Sequence, residues 1–301
     1  MSGGDTTLRY GLVGNLVTLV VVVAGVMGTV LLVGGYRAIA EVSERVIEQA
    51  GEYTEASLNS VFAPIEAQGE VIQDWGEAGD LVLHYDEIEA LNKRLRPLVE
   101  RNQHMSAVSF ADSDGREYVA WQGGDTWVSR YSYGDHQDIE DSLWQRWDRE
   151  GQEVEQWEEQ RIDDSRTRPW YLGAMSASPG EAFWTDPFAF FFNDEPGMTM
   201  SRRYTDPDDG TARVIALGVS LRDISTFTTQ IRPTEYGFAS VLMDSGDIVG
   251  LPAESRYEEQ AAIDEDVLAK AGSLGLETLA DAWGAMGRRQ WRGPHRSRTL
   301  R

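Results

Sequence analysis

Within DDSRTRPWYLGAM, residues 163–175, an arginine stands directly before a Pro-Trp-Tyr step. The guanidinium of Arg168 offers a planar fork of donors suited to a carboxylate, and Trp170 and Tyr171 add stacking faces with polar tips. Asp163 and Asp164 lie just upstream, so the same arginine can equally serve an internal ion pair while the aromatics fill core. On residue chemistry alone both uses stay open. Pro169 suits the first turn of a short helix, with Thr167 or Arg168 at its cap.

No catalytic constellation competes with this stretch. The chain has no Gly-x-Ser-x-Gly elbow, no phosphate-cradling glycine loop ahead of a helix, and no histidine beside a plausible nucleophile. His84, His104, His136 and His295 are scattered without ligand spacing, and cysteine is absent, which excludes disulfides and thiolate metal sites. Neither an enzyme nor a cofactor- or metal-dependent protein is expected. The DPDDG run at 206–210 has the start of a calcium loop, but its twelfth position is Leu217 instead of a bidentate glutamate. A hairpin turn is the expectation there.

The elements that must position Arg168 follow from the patterning. Fifty acids against 27 bases give a formal charge of -23, and only Lys93 and Lys270 are lysine. Nucleic acid is excluded as a partner by sign, and a solvated acidic surface in a saline medium is the simplest reading. Tyr10 to Tyr36 carries no charge. As a helix it would be roughly 40 Å long, enough to cross a bilayer and too long for a cleaved signal peptide. Arg9 ahead of it favours a cytoplasmic amino terminus, with the bulk of the chain outside the cytoplasm.

Beyond the span, Ile39, Val42, Val46 and Ile47 keep helical spacing, so a stalk helix continues to near Trp75, and a second helix is expected over 86–102. Strand-like runs follow in MSAVSFADSDG, REYVAWQGG and TWVSRYSYG, with Ser-Asp-Gly at 113–115 as a hairpin signal. Residues 138–150 look like an amphipathic helix carrying Leu143, Trp144 and Trp147, and EVEQWEEQRID alternates as a strand. Further strands are expected in FWTDPFAFFF, GMTMSRRYT, ARVIALGVSL, GFASVLMD and DIVGLP, with a helix in RDISTFTTQI. Long helices followed by a meandering antiparallel sheet indicate an α+β fold.

Asp164, Arg168-Pro169-Trp170-Tyr171, Trp184-Thr185-Asp186-Pro187-Phe188, Gly197-x-Thr199-x-Ser201 and VIALGVSLRDIS together resemble the double Cache (dCache) sensor domain of bacterial transmembrane receptors. The resemblance covers about residues 8–252. It implies a transmembrane helix running into a stalk, a membrane-distal PAS-like antiparallel module that binds a ligand, and a smaller proximal module. It also implies a homodimer through the stalk and a separate cytoplasmic output domain, such as one for chemotaxis signalling. In amino-acid-binding members, the arginine, tryptophan and tyrosine matching Arg168, Trp170 and Tyr171 hold the ligand carboxylate. Other tyrosines and an aspartate hold its ammonium.

That second set departs here: the family's tyrosines appear as Asp163 and Phe188, and the ammonium-binding aspartate aligns with Gly218. An ammonium buried without a carboxylate is costly. The expected ligand is therefore a small carboxylate or other polar metabolite lacking an α-amino group, with Asp163, Trp184, Asp186 and Phe188 joining Arg168, Trp170 and Tyr171 around it. A cationic ligand held by Asp163 or Asp186 is the alternative.

The expected organisation is a cytoplasmic segment 1–9, a transmembrane helix 10–36, a stalk 37–80, a distal module 81–235, a partial proximal module 236–286, and an arginine-rich, acid-free tail 287–301 that reads as a truncated or altered end. The protein is thus expected in the inner membrane as a single-pass sensor facing the periplasm or the cell exterior. A membrane-tethered binding or adhesion module without signalling output is the other reading of the same features.

Overall fold

The structure, a computed structural model, describes residues 4–84, 87–102, 104–133, 141–160, 163–235, 237–243 and 245–286. The arginine-rich tail, His136 and His295 lie outside the described residues. The chain divides into two compact units, residues 1–53 and 54–301. Helix α1 (Gly4–Glu77) supplies the described part of the first, and its residues 54–77 belong to the second. Within Leu19–Glu77 an 18-residue window reaches a mean hydropathy of 2.3 with none of it buried, so this is the one helix among the described residues long and apolar enough to cross a membrane.

The second unit is built on a nine-stranded antiparallel sheet. Helix α2 (Ile88–Arg101) precedes β1 (Met105–Asp112), β2 (Arg116–Gly123), β3 (Thr126–Tyr133), β4 (Asp141–Trp147) and β5 (Glu153–Gln160). Then come α3 (Pro169–Ser176), β6 (Phe183–Trp184), β7 (Phe188–Ala189), β8 (Pro196–Thr205) and β9 (Ala212–Ser220). The order across the sheet is β5-β4-β3-β2-β1-β9-β8-β6, with β7 also on β8. The fold is α+β, as the order of periodicities predicts. Helix α4 (Leu221–Thr228) leads to a small sheet of β10 (Val241–Leu242) and β11 (Ile248–Gly250), joined through Gly246 at φ 84, and then to α5 (Gln260–Asp266) and α6 (Glu277–Met286).

Alternation along each strand sends two different sets of side chains to the two faces. One set, including Val108, Phe110, Tyr118, Tyr131, Ile215 and Leu217, packs against Ile65 and Ile72 of α1 and Leu91 and Leu95 of α2. Each fully buried aliphatic side chain there contributes about 1.5–3 kcal/mol. Two glycines set how closely α1 approaches the sheet. A Cβ on Gly69 would sit 2.1 Å from Met200 Cε, and one on Gly76 would sit 2.4 Å from the Tyr204 ring. The pair are seven apart on one helix face and meet residues four apart on one strand face.

The expected helix over 138–150 is corrected. Residues 138–140 lie outside the described set, and the rest begins with strand β4, paired in register with β3 and β5. Leu143 and Trp147 share a face in either structure, because a separation of four is two strand periods and nearly one helical turn. The intervening residues decide it. Trp144 turns to the opposite face, between Arg130 and Trp157 in the ladder, where a helix would have kept it beside Leu143.

The DPDDG segment forms the β8–β9 turn, as expected. Asp206 accepts from the backbone amides of Asp208 at 2.8 Å and Asp209 at 3.3 Å, and pairs with Arg213.

Candidate functional site

Asp164 caps a short 3-10 helix over Ser165–Thr167, accepting from Arg166 N at 2.9 Å, and its carboxylate is held by the Arg166 guanidinium. This fixes the approach to α3, which starts at Pro169 with Arg168 as its cap residue. Proline at the first helical position needs no amide partner, so the sequence enters the helix at no hydrogen-bond cost.

Helix α3 lies on the sheet face opposite α1. Trp170 and Tyr171 are buried against Ala111, Val214 and Ala216, and the Trp170 carbonyl accepts from Ser201 Oγ at 2.8 Å. Burial, and after it the Asp112 carboxylate, pushes the Tyr171 hydroxyl above its ordinary range. Phe183 takes the space that a side chain at Gly173 would need, its ring 2.0 Å from a Cβ there. The small residue in PWYLGAM is therefore a packing requirement.

Arg168 stays partly exposed. Its Nε is 3.7 Å from Asp163 Oδ2, and its guanidinium lies 5.2 Å from the centre of the Phe191 ring. It makes no side-chain hydrogen bond to another described residue. Asp163 turns its other oxygen to Arg130, which donates from Nη1 at 2.7 Å. Arg130 Nη2 pairs with Glu117, and Arg130 and Glu117 are each only 2% exposed. Burial pulls the Arg130 guanidinium down, but Glu117 and Asp163 outweigh it and hold the pKa above the ordinary value. Two guanidiniums and two carboxylates thus form a chain, Glu117–Arg130–Asp163–Arg168, on this face.

Aromatic rings enclose the chain. Arg130 lies 4.3 Å from the Phe191 ring centre and 5.7 Å from that of Trp144. Trp144 stacks on Trp157 and meets Trp121 edge-on, and Phe192 stacks on Trp121 at 4.9 Å. Phe190, Phe191 and Phe192 come from the turn joining β7 and β8, closed by Asp194 N to Phe190 O at 2.9 Å, with Asp194 itself at φ 56. That conformation is more accessible to aspartate than to most side chains.

The residues expected around a ligand separate in the structure. Arg168 and Asp163 meet as described, while Trp170 and Tyr171 are buried against the sheet with Phe188 resting on the same α3 cluster. The structure does not bring Trp184 to this site. Its indole donates to Glu66 Oε1 at 2.7 Å and its ring meets Phe62 edge-on at 4.9 Å, on the α1 side of the sheet. Asp186 is exposed. Gly218 faces Phe190, whose Cζ would be 3.2 Å from a Cβ there, and the same ring crowds Gly197. An aspartate at 218 would have to displace that ring.

Sequence reasoning missed Arg130, Glu117 and the three phenylalanines. The signal was present: Glu117 shares a strand face with Val119 and Trp121, and Arg130 shares one with Val128. Opposite charges on the apolar faces of consecutive strands mark a buried pair. Among the described residues no group of three or more histidine, aspartate or glutamate side chains is placed to hold a metal.

No protein-family model matches the chain, and no curated protein does. Solved structures do resemble it. The ligand-binding domain of the Pseudomonas fluorescens chemoreceptor CtaA in complex with L-serine is 14% identical, with 78% of each chain covered and a TM-score of 0.47. The ligand-binding domain of the Pseudomonas aeruginosa PAO1 amino acid chemoreceptor PctC in complex with GABA is 16% identical over 77% of this chain and 81% of that one, with a TM-score of 0.49. That of PctB from the same organism in complex with L-Gln is 15% identical over 77% and 74%, with a TM-score of 0.47. The chain is similar to chemoreceptor ligand-binding domains.

Proposed function

We propose that this chain is the ligand-binding sensor region of a bacterial transmembrane receptor, and that it recognises a small extracytoplasmic carboxylate or related polar metabolite instead of a standard amino acid. The observation that carries the ligand class is Arg168: a guanidinium anchored at the start of α3, in loose contact with Asp163 and hydrogen-bonded to no described side chain. Such a group accepts a carboxylate in bidentate fashion.

The second half of an amino-acid site is filled differently. Phe190 stands beside Gly218, and Asp163 is engaged by Arg130. A ligand ammonium would have to compete with the Arg130 guanidinium for Asp163 and Glu117. In this reading the apolar helix anchors the protein in the inner membrane. Occupancy of the site shifts the equilibrium between two arrangements of the helix that leads from it, which passes the signal on.

Calorimetry on the detergent-solubilised full chain tests the ligand class, with acetate, succinate and benzoate set against L-serine and L-glutamine. Carboxylate binding that disappears in Arg168→Ala is the expected result. Tight binding of the L-amino acids with none of the organic acids would sink the proposal.

A further inference from the structure

Around the Phe191 ring the structure gathers donors that the neighbouring carboxylates of Glu117 and Asp163 do not all satisfy. Arg130 and Arg168 both lie against this one ring, at 4.3 and 5.2 Å. Arg130 Nε and Trp144 Nε1 are buried with no hydrogen-bond partner among the described residues, and Arg130 is 2% exposed. Buried donors without acceptors are costly. The missing component is an anionic or carbonyl oxygen, and what occupies the space between the two arginines is an arene. The arene belongs to a half-buried side chain on a tight turn, while its neighbour Phe190 is 3% exposed and wedged beside Gly197 and Gly218.

Resting on the carboxylate reading above, we propose that Phe191 is an internal stand-in for the ligand, and that the site takes a planar aromatic carboxylate, the ligand's ring replacing the Phe191 ring between Arg130 and Arg168. The incoming ring keeps the contact of both guanidiniums with a π face and the edge contact of Trp121. Its carboxylate supplies an acceptor to the two buried donors and a closer partner to Arg168 than Asp163, 3.7 Å away. Phe190 stays in place as the anchor of the turn, so only the outer part of the Phe191–Asn193 turn has to move. A saturated ring of similar size offers no π face to the arginines, and a short aliphatic acid leaves the aromatic space to Phe191.

Calorimetry on the detergent-solubilised full chain, with benzoate, cyclohexanecarboxylate and acetate as probes, tests this. Benzoate is expected to bind at least about tenfold more tightly than the other two. Phe191→Ala is expected to tighten benzoate binding about tenfold further, because the internal competitor is gone. Phe191→Leu keeps an apolar side chain on the turn but no π face, and also binds benzoate more tightly than the unaltered chain. It preserves the test should the alanine variant fail to fold, as judged by circular dichroism and Tm. Benzoate and acetate binding with equal, Arg168-dependent affinity, unchanged by either Phe191 variant, would overturn the aromatic inference and leave the carboxylate reading standing. Binding of none of the three acids by any of these proteins would remove both.

Discussion

Among the described residues each face of the nine-stranded sheet buries one arginine, Arg213 or Arg130, and the two are neutralised alike but surrounded differently. On the α1 side, Arg213 pairs with Asp206 and Asp209 and donates to the Leu81 carbonyl at 3.3 Å. Its partners belong to the adjacent turn and to backbone, and it ties the β8–β9 turn to the segment after α1. On the other side, Arg130 pairs with Glu117 and Asp163, from a neighbouring strand and from the approach to α3, and lies against the rings of Phe191 and Trp144. Both have a buried Nε without a partner, so an orphan donor alone does not distinguish them. Convergence does. Only Arg130 shares its surroundings with a second guanidinium and an unpartnered indole N–H. One arginine is a fastener, and the other belongs to the proposed site.

The sharpest way to break this comparison is to remove each arginine in turn. Arg130→Met removes the guanidinium that pairs with buried Glu117 and with Asp163, and chemical denaturation should show a loss of about 3–5 kcal/mol. Arg213→Met should cost less, because Asp206, buried too, still accepts from the backbone amides of Asp208 and Asp209, and Asp209 is 44% exposed and keeps its solvation. An equal or larger loss at Arg213 would reverse the assignment.

Next in size, Gly76→Ala drives a methyl into the Tyr204 ring and should destabilise by about 1–3 kcal/mol in spite of better helix propensity. Gly218→Ala meets the tip of Phe190 at 3.2 Å and makes ordinary contacts with Ser106 and Ala107, and should cost less than this. A larger cost at Gly218 would mean that the site face is the more rigid of the two.

Arg168→Ala should change the stability of the unliganded protein by no more than about 1 kcal/mol, since its ion pair is loose and partly exposed. A larger loss in the same denaturation measurement would return Arg168 to a structural role.

The smallest effect concerns Asp112, at the β1–β2 turn. Burial raises its pKa above the ordinary 3.8, against the pull of Arg116. An acid raised on folding contributes stability below its unfolded pKa and loses it as pH climbs through the folded value. Relative to Asp112→Asn, the unaltered chain should therefore lose stability from pH 3.8 upward until the carboxyl is fully ionised. Stability curves of the two proteins that run parallel over that range would refute it.

Much of this was legible in the chain. A 27-residue uncharged run, helical spacing through the stalk, and strands cut by Ser-Asp-Gly and Asp-Gly turns are local signals, and the elements followed them. Strand β4 was not legible, because Leu143 and Trp147 satisfy both periods and only pairing with β3 and β5 selects one. The site divides along the same line. Arg168, Pro169 and the aromatic pair after them announce a capped short helix carrying a guanidinium, whatever the rest of the chain does.

The chain by itself determined where Arg168 stands and what it can bind, because helix start, cap and charge depend on near neighbours. Tertiary structure alone decided its company: Arg130 with Glu117 from the adjoining strand, the three phenylalanines from a distant turn, and Trp184 turned away to Glu66. Strand register and sheet order set those neighbours, and both emerge only when the two faces are buried together.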